Sequence, residues 1–136
     1  MDRGYREVPH TADVAIEAWG RDLPELFVHA AQGMLSLAVT VEPGATVTAS
    51  REVSLEAPDW EALLVDWLNE LLALQDEHGE TYVAFDVSLS APGQLRAHLQ
   101  ATQAYRLDVA IKAATFHNLA IRHDERGYRT VVVFDV

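Results

Sequence analysis

At 136 residues and 49% hydrophobic content, the chain is long enough to bury one real core, and residues 1–136 are read as a single domain. Twenty-one acidic against ten basic residues leave a net charge of −11, with Lys112 the sole lysine; nucleic-acid binders neutralise phosphates with Lys and Arg, so direct RNA or DNA binding is not expected. No cysteine is present, which excludes disulfides, thiolate metal sites and thiol catalysis, and no apolar run reaches the roughly 18 residues of a membrane span. The first residues lack the apolar core of a secretory signal, making the cytoplasm the expected compartment.

Residues 5–8 read as a short strand. Pro9-His10-Thr11-Ala12-Asp13 then forms a polar bend before a second strand, Asp13–Trp19, with Val14, Ile16 and Ala18 on one face. Gly20 closes that strand. Asp22 as cap, Pro24 in the first turn and Glu25 in capping-box position start a helix whose stripe runs Leu23, Leu26, Phe27, Ala30, Ala31, Met34, Leu35, Ala38. Pro43-Gly44 breaks the chain, and Thr46–Ser50 and Glu52–Ala57 alternate as strands. Pro58-Asp59 opens a second helix with the stripe Trp60, Leu63, Leu64, Trp67, Leu68, Leu71, Leu72, Gln75 and a stop at Gly79; Glu61, Asp66, Glu70, Asp76 and Glu77 form its acidic outer face.

Sheet patterning follows. Val83, Phe85, Val87 and Leu89 share one face, and Ala91-Pro92-Gly93-Gln94 turns the chain into the return strand Leu95–Ala101. Val109, Ile111, Ala113 and Thr115 read as another strand, extended by Leu119 and Ile121. Asp124-Glu125-Arg126-Gly127 is a hairpin turn into the strand Tyr128–Val136. The expected fold class is α+β, a mostly antiparallel sheet layer with two long amphipathic helices packed on one face.

No nucleotide-binding glycine motif and no Gly-x-Ser-x-Gly elbow occurs. No two histidines have helical zinc spacing, so a zinc enzyme would need His10 and His117 brought together by the fold; His29 and His78 read as surface residues. Three groups remain: the His10–Asp13 bend, the stretch Lys112–His117, and Phe134-Asp135-Val136. The hairpin makes the last two antiparallel neighbours, placing Asp135 within a residue or two of Thr115–His117. Two carboxylates, a chain-terminal carboxylate and backbone carbonyls would make a hard oxygen site of the kind calcium or magnesium takes. The plainer alternatives are that Thr11 and Asp13 only bond the local backbone and that Asp135 is merely exposed at a loose end.

The segments Val8-Pro9-His10-Thr11-Ala12-Asp13-Val14, Glu25-Leu26-Phe27, Trp67-Leu68-Asn69-Glu70-Leu71-Leu72, Ile111-Lys112-Ala113-Ala114-Thr115-Phe116-His117 and Val132-Val133-Phe134-Asp135-Val136 together resemble the archease family, in order and over essentially the whole chain. Phe116 stands where tyrosine is common, and Val136 where isoleucine is also seen. The resemblance implies a non-catalytic accessory protein whose partner is an RtcB-type RNA ligase, promoting its guanylylation and multiple turnover in tRNA splicing or RNA repair. It also implies a divalent metal, calcium above all with magnesium or manganese as alternatives, held by Asp13, Asp135 and the main-chain or terminal oxygens of Val136. His10, Thr11, Lys112, Thr115 and His117 match the motifs as candidates for supporting or partner-contact roles. A metal-dependent enzyme built on Asp13, His10 and His117, and a general chaperone or scaffold using the acidic helix face, stay open beside it.

Overall fold

The computed structural model describes residues 4–9 and 14–136. Its elements run β1 (Tyr5–Val8), β2 (Val14–Gly20), α1 (Leu23–Ala38), β3 (Val39–Val41), β4 (Ala49–Glu56), α2 (Trp60–His78), β5 (Thr81–Ser90), β6 (Gln94–Thr102), β7 (Tyr105–Leu107), β8 (Ala113–Ala114), β9 (Arg122–Asp124) and β10 (Gly127–Asp135). All strand pairings are antiparallel. One sheet has the order β1-β2-β10-β8, with β9 also on β10; a second is β4-β6-β5, and β3 and β7 form a small ribbon. Two helices on mostly antiparallel sheet make the expected α+β fold.

Local chemistry sets the helices. Asp22 caps α1 by accepting from the Glu25 N–H at 2.9 Å, while Glu25 reaches back to the Arg21 N–H at 2.8 Å, one residue before the usual partner in a capping box. Asp59 caps α2 through the Ala62 N–H at 2.8 Å, and Gly79 ends that helix in the left-handed region at φ 63°, where a Cβ is disfavoured. Trp67 and Phe27, both fully buried, join the helices directly: the Trp67 indole N–H donates to the Phe27 carbonyl at 3.0 Å. The core continues through Ile16, Ala18, Val132 and Phe134 of one sheet and Val53, Leu95, Ala97 and Leu99 of the other. In the first sheet the inner ladder follows register, Thr130 opposite Ala18, Val132 opposite Ile16 and Phe134 opposite Val14.

Four expectations are corrected. The strand expected over Val109–Thr115 shrinks to Ala113–Ala114, and no strand continues through Leu119; Asn118 turns the chain at φ 52°. The preceding residues bond elsewhere, with the Asp108 and Val109 N–H groups both donating to the Ala38 carbonyl at the end of α1. In β5 a register shift between Tyr82 and Ala84 turns Val83 outward to 43% exposure and Tyr82 inward, against the simple alternation expected. Thr46–Ser50 and Glu52–Ala57 are not two strands but one, β4. His29 is no plain surface residue: half-buried, it donates from Nδ1 to the Trp19 carbonyl at 2.6 Å, and Gly4 lies so close to its ring that an added Cβ would fall 2.3 Å from Nδ1.

Candidate functional site

The end of β10 organises the region that the motifs single out. Asp135 faces Ala113 in register, and Phe134 faces Ala114 on one side and Val14 on the other. The Asp135 carbonyl accepts the Lys112 N–H at 2.8 Å, and the Val133 carbonyl accepts the Thr115 N–H at 3.0 Å. The hairpin expectation for Asp135 therefore holds, centred on Ala113. Asp135, Val136, Lys112, Phe116 and His117 are exposed, Phe116 to 59% although it is a large aromatic.

Thr115 has a local task. Its hydroxyl donates to the Val133 carbonyl at 2.9 Å and accepts the His117 N–H at 3.3 Å, closing the turn that leads to Asn118. His10, Thr11 and Asp13 lie outside the described residues. Val14, which follows Asp13 in the chain, is paired with Phe134, which precedes Asp135. Among the described residues no three His, Asp or Glu side chains gather closely enough to hold a metal ion.

Helix α2 supplies two contacts that the sequence reading did not assign. Asn69 Oδ1 accepts the Ala114 N–H at 2.8 Å while its Nδ2 donates to the Ala114 carbonyl at 3.2 Å. Glu61, eight positions earlier, accepts the Ile121 N–H at 3.1 Å. A groove of about 490 Å³ runs beside the Asn69 contact, lined by Asn69, Leu72 and Gln75 of α2 and by Tyr105, Ile111 and Lys112 opposite. The signal available in the sequence was weak: a polar Asn between two apolar positions of the α2 stripe, where a purely solvated helix face would not require it.

Two carboxylates held by ion pairs lie elsewhere. Glu80, 1% exposed, receives two hydrogen bonds from the Arg51 guanidinium at 2.8 and 2.9 Å and one from the Tyr82 hydroxyl at 2.8 Å. The Arg51 bonds hold the Glu80 carboxyl below its usual range, whereas burial and then the Glu80 bond push the Tyr82 phenol up. Burial alone would raise Glu17, yet bonds from Arg6 at 2.8 Å and Arg129 at 3.1 Å keep it lowered. Both groups are saturated with partners, the pattern of structural ion pairs.

Comparison with known proteins fits this architecture. The family model of the archease protein family matches residues 5–136. Protein archease of Archaeoglobus fulgidus is 34% identical over 140 positions, covering 97% of this chain and 98% of the relative. Protein archease of Methanosarcina barkeri is 31% identical, covering 97% and 95%. The solution structure of Protein 1598 of Methanobacterium thermoautotrophicum superposes with a TM-score of 0.80 at 28% identity, covering 99% of this chain and all of the other. A crystal structure from Thermotoga maritima, titled an archease and possible chaperone, has a TM-score of 0.69 at 23% identity, covers 96% of each chain and shares the fold.

Proposed function

As the chain belongs to the archease family, we propose that it is a non-catalytic accessory protein that activates an RtcB-type RNA ligase, promoting the ligase's guanylylation and multiple turnover in tRNA splicing or RNA repair. The observation that carries the reading is convergence. The motif stretch Lys112–His117 and the motif strand ending in Asp135 lie against each other, and the α2 motif residue Asn69 bonds the former from outside. The second strand's motif enters the same edge through Val14, paired with Phe134.

Asp13 and Asp135, with main-chain oxygens of Val136, would hold a divalent cation there; carboxylate and carbonyl oxygens suit calcium, with magnesium or manganese as alternatives. Such a cation would supply concentrated positive charge beside the Asp135 carboxylate. The chain's own part is to present that edge to the ligase. Phe116 and Val136 offer apolar contact beside it, and the net charge of −11 favours encounter with a basic cleft.

The test is guanylylation and multiple-turnover RNA joining by a ligase of this class, with and without the protein. Asp13→Ala and Asp135→Ala should each abolish the stimulation while leaving the unfolding transition in place. A fully active double variant would sink the proposal.

The possible-chaperone title of the Thermotoga maritima structure favours one second reading, in which the acidic face of α2 carries the interaction. Changes at Asp66, Glu70 and Asp76, rather than at Asp13 and Asp135, would then remove activity. Turnover of a small substrate by the purified protein alone would instead favour a metal-dependent enzyme.

A further inference from the structure

We infer that Asn69 is the positioning residue of the Lys112–Asp135 edge, its carboxamide taking the place of a neighbouring strand beside Ala114; the functional half of this inference rests on the accessory-protein reading above. Residues 108–121 contain only the two-residue strand β8, and β8 shares just two register pairs with β10. So short a pairing fixes a segment poorly, because each extra ladder bond normally helps to set register.

A carboxamide places an acceptor oxygen and an N–H donor side by side, so it can serve one residue's N–H and carbonyl as a strand backbone does. Asn69 uses both on the backbone of one residue, Ala114, which is 5% exposed. Removing the carboxamide would leave the Ala114 N–H and carbonyl buried without their partner, so the segment would move toward water to recover the bonds. Lys112 and Thr115 flank Ala114 and are bonded to Asp135 and Val133, so that movement would carry the exposed edge with it. Glu61 anchors the same segment at Ile121, two helical turns away on α2. Asn69 therefore holds the part nearest Lys112 and Asp135, and α2, packed by its apolar face into the core, is the ruler against which the edge is set.

The experiment compares the full-length wild type with Asn69→Ala and the isosteric Asn69→Asp, reading amide hydrogen exchange by NMR and ligase guanylylation. In both variants, faster exchange is expected at Lys112–Thr115, while the β4-β6-β5 amides keep their protection. Stimulation should fall about tenfold or more, since a displacement of about 1 Å can cost on the order of a hundredfold where groups must align.

Asn69→Asp supplies a readout that general loosening would not give. Its carboxylate accepts the Ala114 N–H but opposes the Ala114 carbonyl, and protonation restores the donor. Protection of Lys112–Thr115 relative to wild type should therefore recover as pH falls through the carboxyl range. Should Asn69→Ala fail to fold, the isosteric variant carries the test alone. Unchanged exchange at Lys112–Thr115, or a loss in Asn69→Asp that does not recover on acidification, overturns the inference. If exchange responds as expected while wild type stimulates no ligase, the proposed function fails and the positioning role stands.

Discussion

Trp67→Phe is the most direct probe of whether the two helices form one rigid support. Trp67 is fully buried, its indole N–H donates to the Phe27 carbonyl across the helix pair at 3.0 Å, and its ring meets Phe85 edge-on at 6.2 Å. Phenylalanine keeps the six-membered ring but removes the hydrogen bond, worth about 0.5–1.5 kcal/mol net. It also removes two further ring carbons, worth about 0.8 kcal/mol for each methylene-sized group withdrawn from a packed interior. The expected loss is about 2–3 kcal/mol, or a Tm lowered by roughly 6–10 °C for a domain of this size. Trp67→Ala leaves the whole ring space empty and should cost about 4–5 kcal/mol, a large share of the stability typical of small domains. Urea unfolding followed by circular dichroism measures both, with the m-value checking that the unfolded state is unchanged. A loss under about 1 kcal/mol for Trp67→Phe would refute the claim that this bond and this ring hold α1 against α2.

The Arg51–Glu80 pair gives a pH dependence whose sign follows from its lowered carboxyl. Below the ordinary Glu value of 4.5 the unfolded chain takes up the proton first, so the pair's contribution is complete above that pH and drains away as pH falls through the lowered folded value. Arg51→Met should weaken this acid sensitivity, because the remaining Glu80 carboxyl is buried without its guanidinium; urea titrations at a series of pH values from 7 to 3 that match wild type in slope would contradict it. Asp59→Ala removes the α2 cap and Gly79→Ala strains its left-handed terminus, each costing about 1 kcal/mol, measurable as a shift in urea midpoint with unchanged m-value. Under the accessory-protein proposal, raising salt from 50 to 500 mM should reduce ligase stimulation chiefly by slowing association; a salt-independent on-rate in stopped-flow binding would count against electrostatic steering.

Features set by near neighbours were legible in the sequence. Asp22, Asp59 and Gly79 act within one turn of their own positions, so reading them needed no tertiary information. The closing strand and the proximity of Asp135 to the Lys112–His117 stretch also followed, because a hairpin turn and strand alternation are local signals. The illegible parts depend on partners distant in sequence. The alternation of Val109, Ile111 and Ala113 resembles a strand, yet Asp108 and Val109 bond the end of α1 and Ala114 bonds a helix side chain. His29 lies on the solvent side of an idealised helix, but the first residues of the described chain and Trp19 cover it. Arg51 and Glu80 are 29 residues apart and meet only because β6 pairs with both β4 and β5, which brings Arg51 within reach of the buried carboxylate just before β5. At the candidate site, Asp135 could be placed by its hairpin, whereas the bracing role of Asn69 could not, since nothing in a helical stripe names a backbone partner 45 residues away.

The pairing of Val14 with Phe134 has a kinetic consequence. Elements from β4 through β6 are contiguous in the chain and can assemble by closing short loops, but the β2–β10 ladder closes one spanning nearly the whole molecule. A tenfold longer loop costs about 2 kcal/mol more to close, so the sheet bearing the Asp135 edge is expected to form after the β4–α2–β5–β6 unit and to open before it. Pulse-labelling during refolding would order the two, with earlier protection of β10 amides contradicting that sequence. The edge offered to a partner would thus belong to the later-closing of these two units, and a partner that binds only the closed ladder would draw the last step of folding to completion as it docks.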